Sequence, residues 1–279
     1  MESTSSAPRK FQLARLFALV LPIIFIAPAR VALGDDSAKD DPRSLIPWKA
    51  LDEKTRARLE SVVDAATVYH RTPSEVFICS EELYQLYLYD PVLTLELWKG
   101  LAESDATLEQ VGPGQFRGTD GQHSKGQWEF AYKSPTLNVI FADGQYRGPL
   151  VGTTLHTKSV LVLRTVFFQE VDGRRFVKHQ IDGWVKAESG TLKPLAKAIR
   201  PVFAKSVEAT TQESLWFISL MCRYTLHDPH AVARTIASND TIDAATKQRL
   251  QELLKPLLVT TPERKRVARR EGTVEPLNR

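Results

Sequence analysis

Lys158 to Glu188 reads KSVLVLRTVFFQEVDGRRFVKHQIDGWVKAE, two extended runs joined by Asp172-Gly173. That dipeptide supplies the positive φ angles of a tight hairpin turn, so the stretch predicts a β-hairpin. With a two-residue loop, Val171 would pair with Arg174, Phe168 with Val177, Val166 with His179 and Arg164 with Ile181. Opposed residues share a face. One face would then present Val160, Val162, Val166, Phe168, Val177, Ile181 and Val185, interrupted only by Arg164 and His179. The other would carry Lys178, Gln180, Asp182 and Lys186 among Leu161, Leu163, Phe167 and Trp184. The more apolar face is the expected inner one, with Arg164 and His179 as polar points in its wall. A slip of one residue would exchange the faces and bring Asp182 beside Arg164.

Upstream of this hairpin the signals are also those of strands. Thr107 to Val111 and Gln115 to Thr119 flank Gly112-Pro113-Gly114, and Trp128, Phe130 and Tyr132 alternate within Gln127 to Lys133. Leu137 to Ala142 follows a Ser134-Pro135 turn, and Asp143-Gly144 reads as a further hairpin turn into Gln145 to Arg147. Gly148 to Thr154 reads as a loop at a cavity mouth. Before the meander, a short strand at Glu75 to Cys79 precedes two helices, Glu81 to Tyr89 capped by Ser80 and Val92 to Leu101 capped by Asp90 with Pro91 in the first turn. Beyond Gly190 a helix starts near Leu192, is interrupted at Pro201, and runs through Val202 to Leu226 with Phe203, Val207, Ile218 and Cys222 on one side. The fold class expected is α+β: an antiparallel meander sheet around a long C-terminal helix, with extra flanking helices.

The rest of the chain sorts by composition. Residues 1–34 have the parts of a secretory signal peptide: Arg9, Lys10 and Arg15, an apolar run from Leu16 to Ala29, and Ala32-Leu33-Gly34 as a cleavage site. The run is shorter than the ~20 residues of a spanning helix. Residues 35–50 read as an acidic linker and 51–72 as a leading helix with Leu59, Val62, Val63 and Ala66 in one stripe. Residues 73–228 form the α+β domain, 229–258 carry C-terminal helices with Asp240 as a cap for the second, and 259–279 read as a disordered basic tail. The net charge of +4 is concentrated at the ends: residues 1–34 hold four basic side chains against one acid and residues 263–279 six against three, which leaves the core at −2. A core of that charge gives no sign of nucleic-acid binding. The tail is a candidate contact with a membrane surface. Cys79 and Cys222 have neither CxxC nor metal-ligand spacing and read as buried free thiols.

The order of strand, two short helices, antiparallel meander and long helix resembles the helix-grip fold of START-like proteins, a group that includes lipid-transfer domains and polyketide cyclases. The resemblance covers about residues 73 to 228; the strings Trp128 to Pro135, Gly148 to Leu150 and His179 to Asp182 also look like those of exported bacterial proteins of this layout. It implies a hydrophobic small molecule or lipid held between sheet and long helix.

No GxSxG, HExxH, phosphate-binding loop or dinucleotide fingerprint is present, so no cofactor and no metal is expected. The site expected from the residues is a pocket in which Arg164 and His179 hold an anionic head while Tyr132, Val166, Phe168, Ile181 and Ile218 line an apolar tail. The alternatives are a cyclase or dehydratase with His179 as general base and Arg164 stabilising an enolate, or a structural, partner-binding module with a filled core. In the competing structural reading, Arg164 pairs a core carboxylate, with Glu129 the candidate, beside a hydrogen-bonded core histidine. The segment 1–34 makes its own prediction: N-terminal sequencing of protein from the native host should begin at or near Asp35, in an exported fraction. An intact Met1 in the membrane fraction would make the segment an anchor instead.

Overall fold

The structure, a computed structural model, describes residues 41–102, 104–147, 154–188 and 196–271. The segments read as signal peptide, 1–34, and most of the cavity-mouth loop at 148–154 lie outside them. One eight-stranded antiparallel sheet is built from β1 (Val68–Arg71), β2 (Glu75–Ile78), β3 (Thr107–Gly112), β4 (Gln115–Thr119), β5 (Ser124–Lys133), β6 (Leu137–Tyr146), β7 (Leu155–Gln169) and β8 (Arg175–Glu188). The order across it is β1-β8-β7-β6-β5-β4-β3, with β2 also on β8. The edge strand is therefore in two pieces: β1 pairs residues 182–185, β2 pairs residues 176–179, and Thr72 bridges the gap through its amide to the Ile181 carbonyl at 2.9 Å.

Alternation along the strands gives the sheet two covered faces. On the inner face Leu161, Leu163, Val177, Ile181 and Ile140 pack under α2 (Glu81–Tyr89), α3 (Pro91–Leu101), α4 (Ala196–His227), α5 (Pro229–Ser238) and α6 (Ala244–Glu271). On the outer face Val139, Phe141, Val160, Val162 and Trp184 pack under α1 (Glu53–Val63) and the two 3-10 turns at Pro42–Leu45 and Trp48–Ala50. The long helix α4 has 32 residues, about 48 Å at the α-helical rise, and packs on the side of the sheet formed by β1, β2 and β8. Capping follows the expected chemistry. Ser80 Oγ accepts the Leu83 amide at 3.2 Å, and the Asp90-Pro91 and Asp228-Pro229 pairs repeat one device in which the aspartate accepts the amide of the third helical residue.

Several expectations are corrected. The leading helix stops at Val63, because Val68–Arg71 is the β-prone strand β1. Residues 41–50 are not a bare linker, since Ile46 between the two turns is 2% exposed. Asp143-Gly144 is no turn; it lies inside β6, with Asp143 opposite Gln127 and Lys158, because ladders on both sides override local turn propensity. Asp243, rather than Asp240, caps α6 through the Thr246 amide, and α6 continues to Glu271, well into the segment read as a disordered tail.

The decisive correction is the hairpin register. The β7–β8 loop has three residues, Val171-Asp172-Gly173, closed by the Glu170 amide on the Arg174 carbonyl and the Gly173 amide on the Glu170 carbonyl, each at 2.9 Å. Gly173 is left-handed at φ +83°, the arrangement of a type I turn followed by a glycine bulge. Every pair is thereby displaced by one: Thr165 faces His179, Arg164 faces Gln180, and Leu163 faces Ile181. Replacing Gly173 by Ala should cost about 1 kcal/mol, because a Cβ disfavours the left-handed region. Equilibrium denaturation would measure it, and an unchanged midpoint would show that the glycine does not hold the register.

Candidate functional site

The one-residue displacement separates the two residues placed together from sequence. His179 points inward and Arg164 outward, so no pocket can use both. Of the other candidates, Ile181 and Ile218 lie in the inner core, Tyr132 packs with the outer cluster, and Val166 and Phe168 are on the outer face, exposed.

Inside, His179 is 1% exposed and is held between two strands and a helix. Its Nε2 is 3.2 Å from the Glu75 carboxylate, and its Nδ1 is 3.2 Å from the Tyr84 hydroxyl. Burial pushes the imidazole pKa down, against the pull of Glu75, so the ring is neutral. A carboxylate can only accept, so Nε2 carries the proton and Nδ1 accepts from the Tyr84 hydroxyl. Tyr84 in turn accepts from Thr165 Oγ1 at 3.2 Å. Arg223 of α4 completes the chain, donating to the other Glu75 oxygen at 2.6 Å. Phe77 covers His179 with ring centroids 4.9 Å apart. The chain ties β2, β7, β8, α2 and α4 through satisfied hydrogen bonds, and the imidazole spends both nitrogens inside it.

Outside, Asp182 is 0% exposed and supports three partners. Tyr69 Oη and Arg71 Nε each donate to its Oδ1 at 2.6 Å, and Arg164 donates to Oδ2 from Nε at 3.3 Å and Nη2 at 3.0 Å. Arg164 does pair a core carboxylate, but the partner is Asp182. Glu129, proposed from sequence, pairs with Arg58 of α1. Tyr69 and Arg71 went unrecognised as site residues because their strand was read as helix. The alternating Val68-Tyr69 pair just before Pro73 was the available signal.

A third feature lies between sheet and α4. Ser159, Leu161 and Val185 on the sheet and Val207, Thr210, Thr211 and Ser214 on α4 border a half-open recess with a cavity of about 20 Å³. Gly183 helps to keep it open: a Cβ there would come within 3.1 Å of Leu161 Cδ2 and 3.8 Å of Thr211 Cγ2. On the same side of the sheet Tyr84, Tyr87, Phe217 and Met221 are fully buried. Cys79 and Cys222 are buried free thiols in the same core, with the Cys222 thiol pKa raised by burial. Among the described residues no group of three or more His, Cys, Asp or Glu could hold a metal ion, and no helix is long and apolar enough to cross a membrane.

This topology, an antiparallel sheet folded against the long helix that follows its last strand, is the helix-grip arrangement of START-like proteins. No family model and no curated protein matches the chain. Among solved structures it is similar to a START superfamily protein from Mycobacterium smegmatis, with 16% identity over 52% of this chain and 97% of that one and a TM-score of 0.31. It is also similar to a truncated norcoclaurine synthase from Thalictrum flavum, with 15% identity over 55% of this chain and 93% of that one and a TM-score of 0.34. At such scores and identities nothing about the chemistry of this chain follows from them.

Two predictions test the networks. Asp182→Asn should destabilise by about 3 kcal/mol, the low end for a buried ion pair, because both guanidiniums reach water. Urea denaturation of this variant checks it, and a loss within that of an exposed substitution, about 0.5 kcal/mol, would refute the network. The second concerns pH. Since the folded pKa of His179 lies below the unfolded 6.5, the unfolded chain binds the proton first as pH falls. The stability from neutral His179 is complete above pH 6.5 and is lost as pH drops below it. His70, half-buried and likewise shifted down by burial, has the same sign. Melting curves between about pH 8 and about pH 5 should show this loss, and His179→Gln should flatten it without abolishing it.

Proposed function

We propose that the chain is an exported binding protein for a hydrophobic small molecule, taken up at the recess between β7–β8 and α4. The observation that carries this reading is the recess itself: Leu161, Val185 and Val207 supply apolar walls, and serine and threonine residues supply a hydroxyl border. This is the division between apolar lining and a few polar groups on which small-molecule sites rely. A cavity of about 20 Å³ has room for one water or the methyl end of a chain, which favours a lipid-like ligand entering tip first over a bulky one enclosed whole.

The clamp of an anionic head by Arg164 and His179 is abandoned, since the two occupy opposite faces. The enclosure of His179, with both nitrogens engaged and the ring under Phe77, weighs against the cyclase or dehydratase alternative, which needs a base in reach of substrate.

The test pairs native mass spectrometry of gently purified protein with fluorescence titration of N-phenyl-1-naphthylamine. Wild type should bind the probe, and Ser159→Leu, which fills the recess, should weaken binding at least about tenfold while the protein stays folded. Absence of both probe binding and co-purified ligand would overturn the reading in favour of an interaction module with a solid core.

A further inference from the structure

The β7–β8 hairpin runs past the end of β6: Arg164 is the last β7 residue paired with that strand, opposite Leu137, yet β7 continues to Gln169. The outer cover given by α1 packs on Val160 and Val162 and does not extend over this overhang. Two cross-strand rows are left facing solvent. Val76, Lys178 and Val166 form one, and Ile78, Phe176 and Phe168 the other. Val76 is 48% exposed, Val166 55%, Ile78 41% and Phe168 40%, with the Phe168 and Phe176 rings stacked at 5.4 Å. Val171 stands fully exposed at the tip of the loop. A contiguous apolar surface of this kind on a sheet is out of the ordinary for a face that meets only water.

Its charge identifies what would cover it. The next rows along the same face hold Arg164 and Arg71, and exposed Lys178 sits within the apolar rows. The carboxylates bordering these rows are Asp182, fully buried and shared by both guanidiniums, and Glu170 and Asp172 at the hairpin tip, both paired with Arg174. Arg71, Arg164, Lys178 and Arg174 outnumber the three carboxylates, so the face presents more positive than negative charge, and Nη1 of Arg164 remains after Asp182 and Gln180 are served. Apolar side chains flanked by cations match the boundary of an anionic bilayer, where the former enter the acyl region and the latter meet phosphate.

We infer that this overhanging outer face of β2, β7 and β8 is a docking surface for an anionic phospholipid membrane. The site is separate from the recess, which lies on the other side of the sheet, so a protein with a solid core would dock in the same way. It also differs from a tail-mediated contact, since none of its residues lies beyond Asp182.

Flotation of the purified full-length mature protein with vesicles tests it, using phosphatidylcholine alone against phosphatidylcholine mixed with phosphatidylglycerol. Binding should require the anionic lipid and weaken as salt rises. Lys178→Gln should lower partitioning about five-fold, and Val166→Asp with Phe168→Asp at least about tenfold, with melting temperatures showing that each variant is folded. Unchanged partitioning of these variants, or loss only when Arg264, Lys265, Arg266, Arg269 and Arg270 are replaced by Gln, would overturn the assignment. So would a dimer that the Phe168 and Val166 variants convert to monomer, since the face would then be covered by a second copy.

Discussion

The molecule depends on how β7 pairs with β8. Three loop residues, with Gly173 left-handed, close a register in which Thr165, His179 and Ile181 face the helices while Arg164, Gln180 and Asp182 face the opposite side. Because strand side chains alternate with period two, that choice sorts every residue of the two longest strands at once. A pairing displaced by one would turn Asp182 and Lys178 into the helical core and leave Val177 and Ile181 in water. The cost would be many times that of a loop with imperfect dihedrals. The hydrophobic pattern therefore chooses the loop and not the reverse.

Two polar assemblies then lock the choice from either side. Outside, one buried carboxylate joins β1, β7 and β8 through Tyr69, Arg71 and Arg164; inside, Glu75, His179, Tyr84 and Thr165 join β2, β7 and β8 to α2, with Arg223 drawing in α4. Buried polar groups of this kind add little net stability over well-packed apolar ones, but leaving one of them unpaired is expensive. Their effect is to penalise competing arrangements. A sheet with β1 or β2 misplaced would strand either Asp182 or Glu75.

The element order was legible because it rests on local rules. Ser80, Asp90-Pro91 and Asp228-Pro229 mark helix starts with side chains whose capping geometry involves only four residues. The apolar stripe of α4 likewise needs no partner to be read. The candidate site was not legible, since it turned on whether Asp172-Gly173 closes a loop of two residues or shares one with Val171. Both loops suit that dipeptide; the arbiter is packing by residues far away in sequence. Asp143-Gly144 failed for the same reason in reverse, a turn-forming pair overruled by neighbouring strands on both sides. Tyr69 and Arg71 were hidden because four residues of strand carry too little periodicity to stand out beside a helix.

The divided edge has a consequence for how copies of the chain meet in a crowded solution. A sheet rim with an unbroken row of free amides and carbonyls is a template on which a neighbouring chain can add as a further strand. Here one rim consists of two four-residue pieces separated by Thr72-Pro73-Ser74, with the proline offering no amide and the threonine spent on Ile181. The opposite rim, β3, loses its register between Gln110 and Gly112. Neither side offers an incoming strand more than a few residues in phase, so the eight-stranded sheet stays resistant to edge-to-edge aggregation.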